Sequence, residues 1–102
     1  MSANPHRGEV ALELGPRRFV LRPTFAALVA AEEELGSLLA LVERAGAGQL
    51  RLGEVAAMLW HCLDGAEGLA REAFAELVVE AGLVTATRPL NALFKQVLQG
   101  AA

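Results

Sequence analysis

The chain has 102 residues, a formal charge of −3, and 54% apolar against 21% charged residues. That length holds one domain and not two, and the balance is that of a folded chain rather than a disordered one. Ala (20) and Leu (18) dominate the apolar set, Ile and Tyr are absent, and only five residues are aromatic, which excludes an all-β sandwich because the β-favouring types are scarce.

A single cysteine, Cys62, cannot close an internal disulfide, and with two histidines it does not make a multi-ligand zinc site. No cofactor is expected. No long apolar run is free of charge, so no membrane-spanning helix is expected. The polar start, Met1 to Gly8, lacks the apolar stretch of a secretory signal. A reducing cytoplasm is therefore the expected compartment. Arg outnumbers Lys eight to one, which fits GC-rich bacterial coding.

Residues 1–8 contain Pro5 and show no periodicity, so they read as a flexible tail ahead of a single domain over 9–99. Glu9 to Leu14 and Arg18 to Arg22 both alternate in period two around Gly15-Pro16. A type II′ turn takes Gly at its first central position, and Pro suits the second. That turn requires paired residues to sum to 31. Val10 then faces Leu21 and Leu12 faces Phe19 on an apolar side. Glu9 with Arg22, Glu13 with Arg18, and Ala11 with Val20 fall on the other. Two strands alone are marginal, so the apolar side must lie on helices.

Thr24 caps a helix over Phe25–Leu35, with Phe25, Leu28, Val29 and Leu35 inward and Gly36 as the stop. Glu32, Glu33 and Glu34 near its end read as a solvated acidic face, with a cation or partner contact as the alternative. Ser37 caps a second helix over Leu38–Ala45, with Leu38, Leu41 and Val42 inward. Leu52 leads a third, about Gly53 to Leu63, with Val55, Leu59 and Cys62 on its stripe. A fourth runs from about Glu67 to Ala81 and ends at Gly82. Thr87 caps the last, with Pro89 in its first turn. Leu90, Leu93, Phe94, Val97 and Leu98 form its apolar stripe. The expected fold is therefore α+β and mostly α, an N-terminal hairpin packed on four or five short helices.

Chemistry is sparse. Trp60-His61-Cys62 is the best catalytic-looking cluster, but neighbours on a helix point about 100° apart, and Cys62 falls on the buried stripe. His61 points away from it. Trp60 reads as a partly buried anchor at a helix edge, with a partner contact as the minority reading. The last helix either closes the core or docks another chain, which makes Leu90, Leu93, Phe94 and Leu98 candidate contacts. Arg17 and Arg18 sit at the exposed hairpin tip and are candidates for an anion or partner contact. Residues 1–23 carry a net +2 and residues 24–102 a net −5. The alternative function is a small nucleic-acid-binding regulator that places Arg17, Arg18 and Arg22 of the hairpin in a DNA groove, against which the acidic body, repelling phosphate, weighs. No enzyme is expected.

The stretch EVALELGPRRFVLRPTF over 9–25, then AALVAAEEELG and later LRLGEVAAMLWHCL, resembles the small gene transfer agent proteins of alphaproteobacteria. These belong with the phage tail assembly chaperones. The shared features are the hairpin, the Arg22-Pro23-Thr24-Phe25 entry into a helix, the Gly36 stop and the Ala56-Ala57-Met58-Leu59-Trp60 helix. Pro16 departs from the usual pattern and still suits the turn. The resemblance implies a non-enzymatic part in building a prophage-like tail, with the tape-measure protein and tail-tube subunits as partners. It supplies no catalytic residue. A homo-oligomer is compatible with it.

Overall fold

The computed structural model describes residues 8–100, so the expected tail over 1–8 lies, apart from Gly8, outside the described residues. Two strands, β1 (Val10–Leu14) and β2 (Arg17–Leu21), open the chain. They pair antiparallel as Val10 with Leu21, Leu12 with Phe19 and Leu14 with Arg17, each pair summing to 31. Gly15 turns at φ +62°, in the left-handed region where only Gly is unstrained, and among the described residues no non-Gly residue does so. This is the geometry that a type II′ turn asks of Gly-Pro. On the apolar side Leu12, Leu14 and Leu21 are fully buried. On the other, Arg18 Nε lies 3.3 Å from Glu13 Oε2.

A third strand, β3 (Leu63–Asp64), pairs antiparallel with β2, giving the order β1-β2-β3. The expected third helix stops short of it. That helix, α3, spans Leu52–His61, and Leu63 leaves it to face Leu21. Arg22 N–H donates to the Cys62 carbonyl at 2.6 Å and extends the ladder. The added strand also corrects the reading of Val20. It was expected on the polar side, yet it is buried, because β3 lies beside it and Ala66 and Leu69 close the same concavity.

Helices α1 (Phe25–Leu35) and α2 (Leu38–Gly46) begin at their expected caps. Thr24 Oγ1 accepts from Ala27 N–H at 3.1 Å and Ser37 Oγ from Ala40 N–H at 3.2 Å. Gly36, at φ +86°, donates its N–H back to the Glu32 carbonyl. One expectation in α1 fails: Phe25 is 84% exposed, and Ala31 is the fully buried residue of that helix. Phe25 is the first helical residue, ahead of the turn that meets the core.

The last two helices differ more from expectation. Helix α4 is Arg71–Ala81, not 67–81. Gly68 sits at φ +82° inside the expected first turn, a conformation no α-helix contains, and Leu69 N–H turns back to the Ala66 carbonyl. Helix α5 is Leu83–Gln99, a full turn longer at its start than a Thr87 cap allows. Thr87 Oγ1 does not cap. It donates to the Leu83 carbonyl at 2.6 Å within the helix. Ala86 is fully buried, so its small side chain seats this extra turn on the core. Pro89 is thus inside the helix, and its missing N–H leaves the Thr85 carbonyl without its helical donor.

The core lies between the sheet's apolar side and the helices. Leu12 and Leu14 of the sheet, Leu41 of α2, Met58 and Leu59 of α3, Phe74 and Val78 of α4, and Leu93 of α5 all belong to it. Helix α5 lies against β1, α3 and α4, so the first and last elements of the chain are in contact.

Candidate partner-binding surface

Burial separates the residues singled out in the sequence. Leu90, Leu93 and Phe94 are buried and belong to the core cluster. In this fold they help to close the core, and Leu90 also lines a concavity at the surface. Leu98, one turn further on, is 53% exposed. Trp60 is half-buried, its ring centroid 5.9 Å from that of Phe74, which in turn meets Phe19 edge-on at 5.6 Å. The three rings tie α3 and α4 to β2, so Trp60 is a packed, partly exposed anchor.

Arg17 and Arg18 are exposed at the hairpin tip, and both have intramolecular contacts. The Arg17 guanidinium lies 5.2 Å from the Phe19 ring centroid, and Arg18 faces Glu13. Cys62 is buried, and burial alone pushes its thiol up to about 12, so it is protonated and inert at neutral pH. Among the described residues no group of His, Cys, Asp and Glu gathers to hold a metal.

The acidic run is less idle than a solvated face. Glu32 Oε2 accepts from Leu38 N–H at 3.0 Å and so caps α2 from outside. Glu34 joins three helices: its carboxylate takes Arg71 Nη2 of α4 on one oxygen and lies 2.8 Å from His61 Nε2 of α3 on the other. The Arg71 hydrogen bond, then that of His61, holds the Glu34 carboxyl down at about 2. A second clamp joins α2 to α3. Arg44 donates from both Nη atoms to the two oxygens of Glu54, at 2.8 and 2.7 Å, and Arg51 N–H adds a third bond at 2.9 Å. These hold Glu54 at about 2, the Arg44 bond foremost. Both clamps are architectural.

What sequence reading missed lies at the start of α5. Leu83 is 49% and Val84 88% exposed. They flank two concavities. The first, about 170 Å³, lies between α5 and the connection from α2 to α3 and is walled by Leu50, Leu52, Leu83 and Leu90, with Thr87 and Asn91 as polar lining. The second, about 530 Å³, is an open groove along β1, with Val84, Arg88 and Pro89 on its helical wall. The available signal was the pair Leu83-Val84 directly after the Gly82 stop, two apolar residues that no expected stripe absorbed.

This arrangement presents apolar surface and little chemistry. Residues 7–100 match a known protein family, described as phage tail tube protein, GTA-gp10. The match takes in nearly the whole chain, and the chain belongs to that family. No curated protein and no solved structure matches it. No described helix is long and apolar enough to cross a membrane.

Proposed function

We propose that this member of a phage tail family is a non-enzymatic assembly factor, working in the bacterial cytoplasm as a tail assembly chaperone. It holds the tape-measure protein and brings tail-tube subunits to it. The match over residues 7–100 supports a part in a phage-like tail, and the chaperone role is the finer reading proposed here. The surface supports it: the concavity walled by Leu50, Leu52, Leu83 and Leu90 suits the apolar ridge of a partner helix. Buried Leu93 and Phe94 lie behind that contact while Leu90 walls it, and Leu52, Leu83, Leu98 and the partly exposed Trp60 join it as candidates.

Co-expression with the tape-measure protein of the same gene cluster, followed by pull-down, tests the proposal. The wild-type chain is expected to bring the partner down, and Leu83→Glu to reduce the yield at least about fivefold, the loss expected of a desolvated charge in an apolar contact. No association, together with normal tails after deletion of the gene, overturns it. Mass spectrometry of purified particles separates the roles further: a chaperone is absent from the finished tail, whereas a tube subunit is present in many copies.

A further inference from the structure

The ladder geometry leaves one edge of the sheet open. A two-residue turn makes Leu14 and Arg17 a hydrogen-bonded pair, so Leu12 with Phe19 and Val10 with Leu21 bond in the same way. The bond from Arg22 N–H to the Cys62 carbonyl agrees, since it assigns the even-numbered residues of β2 to the β3 side. The N–H and C=O groups of Ala11 and Glu13 therefore point away from β2. Strand β1 is terminal in the sheet, and among the described residues no hydrogen bond reaches those four groups. Natural edges are guarded by Pro, Lys or a bulge. β1, with the sequence VALEL and an unbroken register, has none of these.

We propose that this edge pairs with β1 of a second copy of the chain, antiparallel, about a twofold axis at Leu12. The two open residues are two apart, so the same two residues of the copy complete them. Ala11 meets Glu13 of the second copy, Glu13 meets its Ala11, and four backbone hydrogen bonds form. The alternation keeps the apolar side of both strands toward the helices. Charge agrees with this register. The two Glu13 residues are not directly opposed, and each already faces Arg18. The copy also covers Val84, the most exposed large apolar residue described.

Sedimentation of the purified full chain over a wide concentration range tests this. A monomer–dimer equilibrium is expected. Ala11→Pro removes an N–H that the monomer does not use and abolishes the dimer. Ala11→Glu places like charges opposite Glu13 and weakens it about fivefold, while Ala11→Lys tightens it by a similar factor. Ala11 is exposed, and circular dichroism checks that each variant keeps its fold. A chain that stays monomeric at every concentration overturns the proposal. So does a dimer that Ala11→Pro leaves intact, or one that the Glu and Lys variants shift in the same direction. None of these outcomes depends on the tape-measure protein, so the tail assembly reading stands or falls separately.

Discussion

The two halves of α5 do opposite work. From Leu90 to Phe94 the helix is core, and Leu93 is as enclosed as any residue described. From Leu83 to Pro89 only Ala86 is buried, and the helix shows Leu83 and Val84 to solvent beside two concavities. Helical spacing cannot tell these halves apart, because each offers apolar residues three or four apart. What separates them is the neighbour. Leu90, Leu93 and Phe94 of the second half join the core cluster, and the first half overhangs β1 and the α2–α3 connection.

The most direct way to break this contrast is to truncate one residue in each half. Leu93→Ala is expected to lower unfolding stability by about 3 kcal/mol in urea titration, since it leaves a cavity in a closed core. A loss below about 1 kcal/mol would mean that the second half is not the core wall described. Next in size is Pro89→Ala. It restores the donor for the Thr85 carbonyl and removes a ring from the helix interior, so a gain of about 2 kcal/mol is expected, partly offset by a freer unfolded chain. No gain would place the helix start after Pro89.

Acid sharpens the contrast between α5 and the clamped helices. Glu34 and Glu54 are held near 2, below their ordinary 4.5. A lowered carboxylate contributes stability that is full above 4.5 and is lost as pH falls toward 2. Unfolding followed from pH 6 to pH 2 (values set by those two limits) should show that loss, and Glu34→Gln should remove part of it. Being half-exposed, the Glu34 clamp is worth less than about 1 kcal/mol, and salt weakens it further. Smallest is Val84→Ser, expected to change stability by less than about 0.5 kcal/mol because nothing covers that side chain.

The front of the chain was legible because its signals are local. Gly15-Pro16 sets a turn, the turn sets the register, and the register assigns every side chain of the hairpin to a face. Thr24, Ser37 and Gly36 act within one helical turn, and all three do what their chemistry suggests. Two of the misreadings came from contacts distant in sequence. Nothing near Leu63 announces a strand; its partner, Leu21, is 42 positions away. Val20 alternates outward and is covered from elsewhere. Gly68 falls inside the range expected of the fourth helix, but its positive φ belongs to a turn ahead of it. Of the candidate contacts, Leu90, Leu93 and Phe94 were rightly seen as one apolar stripe. Whether a stripe faces its own fold or a partner is decided by what packs on it, which no pattern within α5 records.

The packing of α5 on β1 has a consequence in time. A hairpin can form within microseconds of its residues becoming free, and this one has its turn and register built in. Yet part of the surface it must lie on belongs to a helix that begins about 70 residues later. During synthesis, at a handful of residues per second, the greasy side of β1 waits roughly ten seconds for its cover. Over that interval the nascent chain offers both an unguarded strand edge and an uncovered apolar face. The step that buries Leu12 and Leu14 under α5 also builds the groove beside them, so that docking surface comes into being only when the fold closes.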